Sequence, residues 1–360
     1  MSRVWTLPPL WVRRVLLAPL MVVLAFVWMP IALWLGIFAA GVVAWAFPGK
    51  LRVFRVVFMV GLYLLWDAVA LVWMFALWVI SGFGYAIDRE WFQRRHFKLM
   101  GAMLRSLFWA SRWLLRLDVV VDDSELKPAG PTLPTIVVSR HGGPADSFII
   151  VNTLLNRFDR EPAIVMKDTL QWDPAIDVLL NRVPTSFVTT GRRRKGPGGA
   201  AAIGGLASGL EGNDTLLIFP EGGNVTPRRR SRRIEQLRAK GQEQLADRSE
   251  AMEHVMAPHA GGLLTAMDRA PQARIVMMGH TGLDHLETVG DIWKSLPVDK
   301  RIMLKMWTVP AETIPASTEE REVWLFDWWE KIDRWIDENR PVAQDDRDTQ
   351  ENSALTDSPE

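Results

Sequence analysis

Two long apolar runs near the start of the chain restrict its fold more than any other feature. Val15–Phe47 contains no charged residue and only Pro19 and Pro30 as helix breakers, and Val56–Ala86 is interrupted only by Asp67. Each exceeds the roughly 20 residues that cross a bilayer as a helix. A buried core helix of a soluble domain is seldom so long without a polar face, so residues 1–87 are expected to form membrane-embedded helices.

Basic residues flank every boundary of these runs: Arg13 and Arg14, then Lys50, Arg52 and Arg55, then Arg94, Arg95 and Lys98. Two simple spans put the middle cluster on the outer side, against the positive-inside tendency. Two bends, at Pro30 and around Gly61–Asp67, keep all the clusters on one face. Two spans is the simpler arrangement and the one expected. Over 360 residues, 49% are hydrophobic and 18 are Trp, yet 23% are charged, which fits a membrane part joined to a soluble part. A net charge of +1 gives no polyanion binder, so no nucleic-acid partner is expected. With no cysteine, disulfides, thiolate metal sites and a Cys nucleophile are excluded. The first apolar run is too long for a secretory signal core and lacks a small-residue cleavage pattern after it.

From residue 88 to 116 the pattern turns amphipathic. Trp91, Phe92, His96, Leu99, Met100, Met103, Leu104, Leu107 and Phe108 recur at helical spacing with Arg94, Arg95, Lys98 and Arg105 between them. Such a helix lies on a membrane surface or packs on a core. Residues 117–340 read as an α/β domain, a mixed sheet flanked by helices. Short β-rich runs (Asp118–Val121, Thr135–Ser139, Ala163–Met166, Ser186–Thr189, Thr215–Phe219, Arg274–Gly279 and Ile302–Val309) alternate with helical stretches. Those stretches are Ala145–Asn156, Pro174–Asn181, Gly199–Glu211, Arg230–Ala246, Gly262–Ala270 and a closing Glu319–Arg340. Residues 341–360 are polar and acidic, as a disordered tail is.

Three segments carry candidate chemistry. In Thr135–Ile150 an apolar strand ends at Ser139, His141 follows, and Asp146 opens the next helix after Gly142, Gly143 and Pro144. A carboxylate that holds one imidazole nitrogen fixes the tautomer and leaves the other nitrogen as a general base; a helix N-cap is the structural alternative for Asp146. In Thr215–Pro227 a strand runs into Phe219-Pro220-Glu221-Gly222-Gly223, placing a carboxylate and backbone N–H groups at a strand end. The basic Arg228, Arg229, Arg230, Arg232 and Arg233 follow, either as a solvated helix start or facing anionic headgroups. In Phe187–Gly199 the residues Arg192, Arg193, Arg194 and Lys195 crowd a glycine-bounded loop suited to phosphate. The Walker pattern is absent, so no nucleotide P-loop is expected.

In this order the segments resemble the glycerolipid acyltransferase family that includes 1-acylglycerol-3-phosphate acyltransferases. The matching residues are Arg140-His141 through Asp146, Phe187–Arg193, Phe219-Pro220-Glu221-Gly222, and Ala257-Pro258 with Gly261-Gly262. The resemblance covers about Arg116–Pro315. It implies a membrane enzyme that moves a fatty acyl group from acyl-CoA or acyl carrier protein to the hydroxyl of a lysophosphatidic acid or related lysophospholipid. His141 would be the base and Asp146 its orienting partner. Glu221 and Gly222 would help place the acceptor, and Arg192 or Arg193 would hold its phosphate. It implies no metal and no cofactor, and a catalytic domain on the cytoplasmic side of the cell membrane.

Two departures bear on the acceptor. Gly223, Asn224 and Val225 stand where the family usually has Thr-Arg-Ser, and the second motif aligns poorly. Apart from these motifs, His280, Asp284 and His285 form an HxxxDH string after a strand. A metal-dependent hydrolase built on His141, Asp146, His280 and Asp284 is therefore one alternative. A non-catalytic lipid-binding protein with the same fold is the other. His96, His254 and His259 read as surface or packing residues.

Overall fold

The computed structural model describes residues 7–46, 52–126, 133–143, 146–188, 198–282 and 300–340. From Leu10 to Ala46 the chain is helical: α1 (Ala18–Val23) and α2 (Met29–Ala46) alternate with wide π-type turns at Val12–Leu17 and Leu24–Trp28, and α3 (Arg52–Ile80) follows. Among the described residues α3 is the one helix long and apolar enough to cross a membrane. At 29 residues and 1.5 Å per residue it is about 43 Å long, more than a bilayer core of roughly 30 Å. The first apolar run is not one continuous α-helix: wide π-type turns interrupt its ladder.

These helices are not detached from the rest of the chain. One face of α3 buries Ala68, Ala70, Leu71, Met74 and Leu77. Arg13 pairs with the buried Asp177 and donates to Gln171 Oε1 at 3.0 Å, and Tyr63 donates to Asp173. Arg182 donates to Met74 O at 2.7 Å. A charge or hydroxyl held this way between buried surfaces satisfies groups that would be costly unpaired. Helix α4 (Glu90–Leu114) likewise packs on α3 and on the sheet domain, burying Phe92, Phe97, Leu99, Met100 and Leu104 while Trp109 and Trp113 stay exposed at 66% and 71%. It is a docked wall of the domain, with an exposed aromatic edge. His96 on its inner face bonds Phe92 O through Nδ1 at 2.7 Å, and burial lowers its pKa to about 4.

Seven strands form one mixed sheet: β1 (Leu117–Glu125), β2 (Thr135–Ser139), β3 (Glu161–Lys167), β4 (Thr185–Val188), β5 (Asp214–Ile218), β6 (Arg274–Thr281) and β7 (Lys300–Thr308). Their order is β1-β7-β6-β2-β5-β3-β4, with β6 and β7 antiparallel and every other pair parallel. The helices are α5 (Asp146–Arg157), α6 (Pro174–Leu180), α7 (Gly199–Ala207), α8 (Pro227–Arg238), α9 (Glu243–Ala251), α10 (Ala260–Arg269) and α11 (Thr318–Asn339). Central strands of a sheet covered on both faces are apolar at every position. Accordingly Val137, Leu217 and Val276 face α3–α6, and Ile136, Val138, Leu216, Ile218, Ile275 and Met277 face the layer of α7–α11.

The expected single helix Arg230–Ala246 is two. Gly241, at φ +73°, turns the chain between α8 and α9, a backbone state that costs glycine nothing and other residues 1–2 kcal/mol. The expected Gly199–Glu211 helix also stops early, at Ala207. The terminal segment 341–360 lies outside the described residues.

Candidate active site

The sheet places the site. Parallel pairing aligns Val138 with Ile218 and Ser139 with Met278, so β2, β5 and β6 end at the same edge, where α/β sheets present functional groups. His141, Glu221 and His280, far apart in the chain, arrive there together.

His141 Nδ1 lies 2.7 Å from Asp146 Oδ2. Asp146 is 1% exposed and also accepts from Gly143 N at 3.3 Å and from Ser147 N. Burial pushes its pKa up, but the hydrogen bond from His141, the charges of His280 and His141 and the Gly143 amide outweigh this, leaving it below the usual carboxylate range. An ionised partner at this distance favours the tautomer with hydrogen on Nδ1 and a lone pair on Nε2. Among the described residues none bonds that Nε2. The imidazole also stacks on Phe219, centroids 4.7 Å apart and planes 29° apart, so carboxylate and ring together fix its orientation.

Glu221 departs from the sequence expectation. It is 1% exposed, and its oxygens are taken by protein donors: Oε2 accepts from His141 N at 2.7 Å, and Oε1 accepts from Met256 N at 2.9 Å and Trp329 Nε1 at 3.3 Å. Burial pushes its pKa up against the charge of Arg140 and these donors. A carboxylate so enclosed does not reach an acceptor; it ties the His141 backbone to the Met256 segment and to α11. Gly222 is likewise occupied, its N–H bonding Phe219 O at 3.0 Å and its carbonyl accepting from Arg229 at 3.0 Å. Its φ of +69° forms the turn that brings the strand end back under His141. Val225 N in turn bonds His141 O at 3.3 Å, a second strap between the two turns.

The arginines after this turn are mostly internal supports. Arg229 donates to Asn224 O at 3.1 Å and to Gly222 O, Arg230 reaches the carbonyls of Ser249 and Glu250, and buried Arg233 donates to Pro258 O at 2.8 Å. Arg228 and Arg232 face outward. Arg192 and Arg193, with their loop, lie outside the described residues, as do Pro144 and Ala145.

Arg140, Phe219 and Trp329 have parts in the site that the sequence did not assign them. Arg140, 2% exposed, donates to His280 O at 3.2 Å, and His280 Nε2 contacts Arg140 O at 3.2 Å. The guanidinium folds against Gly142, where an added Cβ would sit 2.2 Å from a terminal nitrogen. The arginine before the histidine was the one available signal for this. Phe219 and Trp329 carried none beyond being apolar. His280 Nε2 is 3.7 Å from Asp146 Oδ2, and among the described residues no group of His and acidic side chains is arranged to hold a metal ion. Asp284 and His285 lie outside the described residues. His254 contacts Asp337 at 3.2 Å, and His259 starts α10 with its N–H on Pro220 O.

No curated protein sequence matches the chain. A solved structure, the 1-acyl-sn-glycerophosphate (LPA) acyltransferase PlsC from Thermotoga maritima, is similar at 17% identity and a TM-score of 0.43, over 76% of this chain and 97% of its own. The family model described as Acyltransferase matches residues 118–280, from β1 through both turns to His280. That segment, which holds His141, Asp146, Glu221 and His280, belongs to the acyltransferase family.

Proposed function

We propose that the protein is a membrane O-acyltransferase that moves a fatty acyl group from acyl-CoA or acyl carrier protein to the hydroxyl of a lysophosphatidic acid or related lysophospholipid. The observation that carries this reading is the 2.7 Å contact of His141 Nδ1 with buried Asp146, within a domain of the acyltransferase family. Nε2 takes the proton of the acceptor hydroxyl as its oxygen attacks the thioester carbonyl. Asp146 stabilises the imidazolium that forms. Collapse of the tetrahedral intermediate breaks the C–S bond, and the imidazolium returns the proton to the departing thiolate. Acyl ester and free thiol are the products, and no cofactor enters the balance.

Glu221 contributes by holding the His141 backbone. The basic loop with Arg192 and Arg193 is the part of the sequence suited to the acceptor phosphate. Helix α3 and the exposed Trp109 and Trp113 suit attachment to a membrane, with the catalytic domain on its cytoplasmic side.

The test is thiol release from acyl-CoA or acyl carrier protein with a panel of lysophospholipids, in wild type and His141→Ala. Loss of a general base costs roughly 10²–10⁴-fold. A folded His141→Ala protein retaining more than about a tenth of wild-type kcat would defeat the mechanism. Retention of a lipid-binding role without any thiol release in the wild type would favour the non-catalytic alternative.

A further inference from the structure

The mechanism above gives no part to His280, the first residue of the HxxxDH string. It stands next to last in β6 and is 3% exposed. Parallel pairing of Ser139 with Met278 brings it level with the turn that follows β2. Its Nε2 lies 3.2 Å from Arg140 O, the carbonyl of the peptide that leads into His141. The same nitrogen is 3.7 Å from Asp146 Oδ2, the oxygen that holds His141 Nδ1. Both neighbours are acceptors, so Nε2 carries hydrogen. Arg140 answers with Nη1 on His280 O at 3.2 Å, and the two residues are thereby tied twice.

We propose that His280 is a positioning residue for acyl transfer: its Nε2–H fixes the Arg140–His141 peptide and faces Asp146, so that the base and its partner share one rigid support. The inference rests on the acyl-transfer reading given above for His141. Three backbone groups flank the His141 side chain, and each is held from another strand end. His141 N is held by Glu221 and His141 O by Val225 N, both from the turn after β5. Arg140 O is held by His280 from β6, with Ser139 Oγ also donating to it at 3.2 Å. Without His280 the β6 side of this support is gone, and the imidazole is free to pivot with its peptide. A catalytic group must be held within about 0.5 Å of its productive place, and a displacement of about 1 Å costs up to about a hundredfold in rate. At 3.7 Å the Asp146 contact is too long for a hydrogen bond. An N–H that close to a carboxylate 1% exposed nevertheless favours its charged form. A histidine kept for packing alone has no reason to meet its acceptors at the catalytic pair; His280 meets both there.

The experiment compares wild type with His280→Gln, His280→Met and His280→Leu, as full-length protein purified in detergent. Gln places an amide N–H near the position of Nε2. Met and Leu fill the space without a donor, and the second of them serves if the first fails to fold. Thiol release from acyl-CoA or acyl carrier protein is read with lysophosphatidic acid varied. The donor-free variants should lose about tenfold in kcat with the acceptor KM within about twofold of wild type, and His280→Gln should come within about threefold of wild-type kcat. A second readout needs no turnover: ¹⁵N–¹H correlation spectra of the imidazoles at neutral pH. Wild-type His280 should carry hydrogen on Nε2, and the His141 Nδ1–H resonance should move in the donor-free variants and stay in place in His280→Gln. A packing role alone would lower Tm and leave that resonance and the kcat of the folded protein unchanged. The proposal is overturned by wild-type kcat in a folded donor-free variant, by His280→Gln no better than His280→Met, or by a bare Nε2 on wild-type His280. Absence of thiol release from wild type would instead defeat the acyl-transfer reading, while the placement of His141 by His280 would stand or fall on the spectra.

Discussion

Replacing Glu221 by Gln separates a residue that holds the base from one that touches the acceptor. Gln keeps one oxygen, which can still serve Met256 N and Trp329 Nε1, but turns an NH2 toward His141 N, now 2.7 Å from Oε2. Two donors then face each other in a space closed to water. Losing a hydrogen bond to a buried charged group and leaving a donor unsatisfied costs about 2 kcal/mol, within a range of about 1–3. For a domain of this size that lowers Tm by roughly 4–8 °C, at about 2–4 °C per kcal/mol. If about half of the cost falls on the placement of His141, kcat drops by about fivefold, since each 1.4 kcal/mol is a decade. The acceptor KM is expected to stay within about twofold of wild type, because loss of a transition-state arrangement lowers kcat without weakening ground-state binding. Steady-state kinetics with varied acceptor, together with a melting curve, read both effects. A large rise in acceptor KM at unchanged kcat and Tm would refute the reasoning and restore Glu221 as an acceptor contact.

Asp146→Asn should reduce kcat by at least about a hundredfold by removing the charge that fixes and stabilises the imidazole. Because the Asp146 pKa is lowered by folding, its charge stabilises the protein above the ordinary carboxylate range, and that gain is lost as pH falls below roughly 4; melting curves of wild type and Asp146→Asn should therefore converge in acid, and a gap that widens there would contradict the shift. Gly142→Ala drives a methyl into the Arg140 guanidinium at 2.2 Å and should cost roughly 1–3 kcal/mol of stability along with most activity; unchanged melting and turnover would show that Arg140 moves aside freely. Helix α3 and the apolar run before it should keep the protein in membranes through an alkaline carbonate wash, and its appearance in the supernatant would end the membrane reading.

The central strands and the two turns were legible in the sequence because their signals are local. A short β-rich run, Thr135–Ser139, followed by Arg140-His141 with Asp146 five positions on, specifies a strand, a turn and a carboxylate within reach, whatever the rest of the chain does. The break at Gly241 was equally local and was passed over in favour of the periodicity on either side of it. Other features depended on residues that meet only after folding. Glu221 reads as a ligand-facing group at a strand end until Met256 and Trp329, 35 and 108 positions away, close over its second oxygen. The arginines after that turn read as a headgroup patch until α8 packs and Arg229, Arg230 and Arg233 reach backbone carbonyls of the preceding turn, the end of α9 and the Pro258 segment. Arg13 and Arg14 read as flanking charges of a span until Asp177 meets them. Sequence alone settled that His141 and Asp146 stand within reach of each other, since covalent spacing limits that. Which charges are buried, and so which are occupied by the protein itself, was decided by tertiary packing, because burial and hydrogen-bond partners are properties of surfaces brought together rather than of positions along a chain.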